Sequence, residues 1–263
     1  NPNVTAGNDH YFRICFLDPF QGTVLANFAK EELKAEKVYC LGQLGNDYDQ
    51  GLMNYFQKAA EGLGMECVAE SFPVNNSDFT SYLTSAKNQG ADVIFAPTSI
   101  SYAQLIVKQA ASQGIDMPLL ASDTWDSNVI LGAAKGTDMD VYVTTFYAEG
   151  GDAEFEKGFK EWINSDSTNL TNNGGNDIIA AVSVMGYDAY YTALEALKAA
   201  GSTNPADVMA ALPNVTHKGV TGEISFNEVG DANRDSAFVK KTNNETGLWE
   251  FVTVQGTDAK AAE

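Results

Sequence analysis

Asp123 stands directly after the apolar run Pro118-Leu119-Leu120-Ala121-Ser122. A carboxylate at the end of a buried run needs a donor or a counter-charge, because ionised groups are costly to remove from water. Other segments end in the same way, with polar or aromatic residues following a short apolar stretch. Together with 121–126, which holds Asp123, they are 43–48, 73–77, 97–102 and 145–150. These segments hold the hydroxyls of Ser99 and Ser101, the rings of Tyr48, Tyr102, Trp125 and Tyr147, and the carboxylates of Asp47, Asp123 and Asp126. Hydroxyls and helix N-termini suit anionic groups, carboxylates suit an ammonium, and aromatic faces suit apolar or cationic parts. Such a set fits a small zwitterion better than a phosphate. Capping is the competing role for Asp126, Ser99 and Ser101, and core packing the competing role for Tyr102.

Other chemistries lack their residues. Gly42 and Gly45 follow an apolar run but form neither a G-x-G-x-x-G fingerprint nor a phosphate loop ending in Lys-Ser/Thr. No G-x-S-x-G elbow is present. Two histidines, His10 and His217, are too few and too far apart for a zinc cluster, so no metal or cofactor is expected. Cys15, Cys40 and Cys67 each lie in an apolar run and read as buried thiols, with a Cys40–Cys67 bridge as the alternative. A net charge of −19 over 263 residues disfavours nucleic acid and anionic membrane surfaces. No apolar run reaches the ~20 residues needed to span a bilayer. Asn1–His10 lacks the apolar centre of a signal peptide.

The elements that must hold these residues follow a βα rhythm. Apolar, β-branched runs begin at Lys37, Met65, Ala91, Met117 and Asp140, with helical patterns over 48–63, 78–89 and 101–113 between the first four. Strand, helix, strand at this period gives parallel strands with crossover helices. Nearly continuous apolar strands belong to a sheet covered on both faces, so the lobe is α/β and doubly wound. YFRICF reads as a preceding strand, and Asp18-Pro19-Phe20-Gln21 as the start of a helix. After Thr145 the rhythm stops. A helix ends near Asn164, SDSTNLTNNGGND reads as a loop, and a long helix runs over 177–200. A shorter one opens at Asn204-Pro205, and GVTGEISF, SAFVKK and LWEFVTV read as strands. Ile178, Ile179, Val182, Met185, Tyr190, Leu194 and Leu197 cover about half of the long helix's circumference. No parallel strands in this segment supply a partner, so its apolar arc is expected to be exposed or repacked.

FRICFLDPFQGTVLANFAKEEL, NDYDQGL, LIVKQAASQGID, LLASDTWDS, GYDAYY and GVTGEISFNEVGDA together resemble the Leu/Ile/Val-binding family, the type I periplasmic solute-binding proteins of ABC importers. The resemblance runs in order through almost the whole chain. It implies two Rossmann-like lobes with a ligand between them, one near complete and the other lacking its first part. The nearly complete lobe is expected over 1–146 with about 236–254, the partial one over 147–235, and a tail over 255–263. Tyr48 matches the position whose ring faces the ligand, and Asp123 the acid that pairs with the ligand's α-ammonium. The expected second aromatic falls near Ser99 or Ile100, with Tyr102 and Trp125 close by in sequence. The implied function is not enzymatic. It is extracytoplasmic binding of a small, branched-chain-like amino acid for delivery to permease subunits, with the membrane reached only through the permease or a lipid anchor. A ligand-sensing domain of a receptor or regulator is the alternative reading, and a doubly wound enzyme the third. With no carboxylate site opposing Asp123, this chain is expected to bind amino acids weakly.

Overall fold

The structure is a computed structural model that describes residues 1–258. The chain forms two compact units and passes between them three times. One unit holds 18–145 and the chain from Ser236 onward; the other holds 1–17 and 146–235.

The first of these units carries the sheet. Its elements are α1 (Asp18–Glu31), β1 (Lys37–Gln43), α2 (Asp47–Gly62), β2 (Glu66–Phe72), α3 (Thr80–Asn88), β3 (Val93–Phe95), α4 (Ile100–Ser112), β4 (Leu119–Ala121), α5 (Asn128–Ala134), β5 (Val141–Thr145), and the later strands β8 (Ser236–Asn243) and β9 (Leu248–Gly256). The strand order is β2-β1-β3-β4-β5-β8-β9. The first five are parallel, and β8 and β9 continue the sheet as an antiparallel hairpin. Alternation along the strands divides the core between the two faces. Tyr39, Leu41, Ile94, Leu119 and Val141 pack with α3, α4 and α5, while Val38, Cys40, Val93, Phe95 and Leu120 pack with α1 and α2. The doubly wound α/β lobe read from the sequence is the observed architecture. β9 continues through Gly256, so the hairpin takes in the first residues of the expected tail; 259–263 lie outside the described residues.

Cys40 and Cys67 lie on adjacent strands and the same face, but Cys67 is in register with Val38 and Cys40 with Ala69. All three cysteines are free thiols. Burial pushes the Cys40 thiol well up.

The second unit contains α6 (Ala153–Asn164), α7 (Ser167–Asn172), α8 (Ala181–Ala200), α9 (Pro205–Ala211) and a two-stranded ladder of β6 (His217–Gly219) and β7 (Gly222–Ile224). Asp188 ties it together. Fully buried on α8, it accepts hydrogen bonds from the backbone N–H of Val220 and of Thr221, each at 2.8 Å, and from Thr221 Oγ1 at 2.5 Å. A Cβ on Gly219 would lie 2.5 Å from this carboxylate, so only glycine lets the turn close on it.

Three expectations are corrected here. YFRICF is not a strand: Arg13 makes an isolated bridge to Asp231, with Arg13 N–H to Gly230 O at 2.9 Å and Ala232 N–H to Arg13 O at 3.0 Å. Residues 1–17 belong with 146–235 rather than with the sheet, because the Arg13 guanidinium is buried against Asp231 at 2.8 Å and Thr5 Oγ1 donates to the same carboxylate. Part of the loop read at SDSTNLTNNGGND is the helix α7, started by Asp166, which accepts from Thr168 N–H.

The long helix begins at Ala181 rather than Asp177. Before it, Ile179 N–H donates to Glu149 Oε1, and Asn173 Nδ2 donates to Ile178 O. Its apolar residues divide: Val184 and Met185 are buried, whereas Val182 and Tyr190 are each 65% exposed.

Candidate ligand site at the carboxyl ends of the strands

The strand order reverses between β1 and β3, and the residues singled out in the sequence follow β1, β3 and β4. Ligands of open α/β sheets bind outside such carboxyl ends, at the point of reversal.

Asn46 caps α2, its side chain accepting from Tyr48 N–H and Asp49 N–H, and this fixes Tyr48 on the first turn. A 3₁₀ turn of 123–125 after β4 presents Asp123. The two side chains meet: Tyr48 OH lies 3.3 Å from Asp123 Oδ1. Gln21, on the first turn of α1, joins them. Its Nε2 donates to Asp123 Oδ1 at 2.7 Å and to Thr144 Oγ1, at the end of β5, at 2.9 Å.

The electrostatics favour a cation. Burial raises the Asp123 carboxyl above the usual carboxylate range, and the negative charge of Asp18 adds to the rise. Donation from Gln21, Asp123's own N–H and Tyr48 partly offsets both. Burial, and then the Asp123 charge, push the Tyr48 phenol well up, so it stays protonated. A carboxylate and a protonated phenol at the end of a sheet can hold an ammonium by charge-assisted hydrogen bonds.

Ser99 precedes α4 and is exposed, its Oγ 3.0 Å from Ser101 Oγ. Ile100, half-buried, begins the same helix and packs on the core. Both stand at the start of α4, after the carboxyl end of β3. Two expectations fail. Trp125 is fully buried, with its indole N–H donating to Thr98 O at 2.8 Å, so it is core and lines no ligand surface. Tyr102 packs edge-on against Phe72 and takes the Asn75 N–H on its hydroxyl at 3.0 Å, which makes it a clamp on the loop after β2. Asp126 does not cap a helix either. It forms a buried ion pair with Lys240 at 2.7 Å and accepts from Thr145 Oγ1, while Ser127 caps α5.

Gln21 and Thr144 were not found in the sequence. Gln21 reads in the sequence as a helix-start residue, and nothing local shows that its amide turns away from its own helix. The other unit has a cavity of about 460 Å³ lined by Phe155, Phe159, Trp162, Tyr187 and Asp152. Asp152 caps α6 there, and Glu154 also lines the cavity.

Residues 3–246 match the family model described as periplasmic binding protein. The chain belongs to this family. Among its relatives, Leu/Ile/Val-binding protein homolog 1 of Brucella abortus is 29% identical over 234 residues, which is 88% of this chain and 60% of that protein. Among solved structures, a leucine-binding protein from Thermotoga maritima is 29% identical with a TM-score of 0.84, covering 97% of this chain and 71% of that one. The branched-chain amino-acid transporter substrate-binding protein of Streptococcus pneumoniae, solved with isoleucine, has a TM-score of 0.80 at 24% identity over 97% of this chain and 70% of that one. The fold is that of the type I periplasmic binding proteins. The chain spans about 60% of the length of the curated relatives it matches.

Proposed function

We propose that this chain is the amino-acid-binding part of a substrate-binding protein serving an ABC importer, and that Asp123 receives the ligand's α-ammonium. The observation that carries the reading is the meeting of Asp123, Tyr48 and Gln21 at the carboxyl ends of β1, β4 and β5. Family membership and the names of the relatives support a branched-chain side chain on the ligand. No bond is made or broken in this function: binding presents a loaded protein to permease subunits on the outer side of the membrane. Ser99 and Ile100 then border the ligand from the end of β3.

Calorimetric titration of the protein with leucine and with 4-methylpentanoate, which has the same side chain and carboxylate but no ammonium, tests this. Heat from leucine alone is the expected result. Equal binding of both, or of neither at saturating concentration, would overturn the ammonium assignment.

A further inference from the structure

Gln21 is 2% exposed, and both hydrogens of its amide are used, at 2.7 Å to Asp123 Oδ1 and 2.9 Å to Thr144 Oγ1. A carboxylate accepts and cannot donate, so the chemistry of Asp123 dictates which way the amide faces. Thr144 is fully buried on β5, in register with Val239 of the neighbouring strand, and gives the amide a rigid anchor. The Tyr48 hydroxyl is held less firmly, at 3.3 Å from Asp123 Oδ1 and 3.5 Å from Gln21 Oε1, both long for a phenol donor. Both side-chain donors fall on Oδ1.

We propose that Gln21 is a positioning residue for ligand recognition, clamping one oxygen of Asp123 so that the other is turned towards the incoming ammonium. This rests on the reading of Asp123 as the ammonium site. Gln21 touches the recognising group rather than the ligand, and it sets both the carboxylate's rotation and the ease with which it ionises. The groups facing Asp123 are Gln21 and Asp18 from α1, Tyr48 from α2, and its own backbone N–H. Asp126, on the same turn, is neutralised by Lys240. Without the amide, burial and the Asp18 charge are opposed only by Tyr48 and one N–H, so Asp123 holds its proton to higher pH. The ligand must displace that proton.

The experiment measures leucine affinity from pH 5 to pH 8 for the wild-type chain, Gln21→Met and Asp123→Asn. Losing one hydrogen bond to a carboxylate is expected to move the acid-side loss of affinity upward by about one pH unit. Gln21→Met should then bind leucine more weakly at the acid end, by up to about tenfold, beyond any difference at pH 8. A structural filler would shift the whole curve without changing its shape, and parallel curves for Gln21→Met and wild type would overturn the proposal. Should Gln21→Met fail to fold, Thr144→Val removes only the amide's second anchor. It should move the curve in the same direction by less, and an unmoved curve overturns the proposal as well. If Asp123→Asn loses leucine while Gln21→Met follows the wild-type curve, only the positioning role falls. If Asp123→Asn itself keeps wild-type affinity, the ammonium reading falls and the positioning role with it.

Discussion

Replacing Asp123 by Asn separates the demands of binding from those of folding. The Asn carbonyl can still accept from Gln21, 2.7 Å away, and from Tyr48, so the local hydrogen bonds survive and only the charge is removed. Truncating one partner of a hydrogen-bonded charge pair at a desolvated site costs about 2–5 kcal/mol. At 1.4 kcal/mol per decade, leucine affinity should fall by roughly 30- to 3,000-fold. Stability should move the other way. The folded carboxyl sits above its unfolded value, so the native state binds the extra proton, and stability declines as pH rises from about 4 upward. The unliganded Asn variant escapes that decline and should melt higher than wild type at pH 7, with the two converging in acid. Calorimetry gives the affinity, and scanning fluorimetry at several pH values gives the melting point. A loss of affinity under threefold, or a lower melting temperature for the unliganded variant at pH 7, would refute the reasoning.

Tyr48→Ala should weaken leucine binding with little change in the unliganded melting temperature; a drop in melting temperature with affinity unchanged would make Tyr48 structural. Asp49 is buried on the first turn of α2, and burial raises its carboxyl to about 6, partly offset by donation from Gln43 N–H at 2.8 Å. Its ionisation therefore removes stability as pH rises from about 4 to 6, at most about 3 kcal/mol, and Asp49→Asn should gain up to that amount at pH 7 in urea unfolding while leaving it unchanged below pH 4. Val182 and Tyr190 are exposed apolar residues about two turns apart on α8, so the chain should self-associate in sedimentation at rising concentration. The double replacement Val182→Glu with Tyr190→Glu should reduce that association without altering leucine binding.

The sheet was legible because a buried parallel strand leaves two marks, an unbroken apolar run and a fixed distance to the next. Tyr48 and Asp123 were legible for a related reason: they sit where those runs end, and no apolar environment tolerates them without a partner. Trp125 shared the position but not the direction, and only packing decides that its ring turns inward to Thr98. Gln21 escaped because its partners lie 102 and 123 residues away in sequence. YFRICF has the composition of a strand, yet a strand also needs neighbours for its N–H and C=O groups. Arg13 finds them at Gly230 and Ala232, in a single isolated bridge. The segments GYDAYY and GVTGEISF carried the resemblance without showing why they occur together. Asp188 and the turn at 219–221 give the reason, since each satisfies the buried polar groups of the other.

The placement of β8 has a consequence for the order in which the molecule is made. A chain emerging from the ribosome completes β1 to β5 by Thr145 but does not deliver β8 until Ser236, after the whole of the segment 146–235. Throughout that interval β5 is the open border of a five-stranded sheet, with unpaired backbone groups that invite strands from other chains. Asp126 waits over the same interval for Lys240, the partner that neutralises it in the finished protein. The parallel core can form from neighbouring βα units, whereas its last border must be closed over a long loop, the slower kind of step. Synthesis of this protein therefore passes through a stage in which the turn bearing Asp123 is already built and the edge of the sheet is still unprotected.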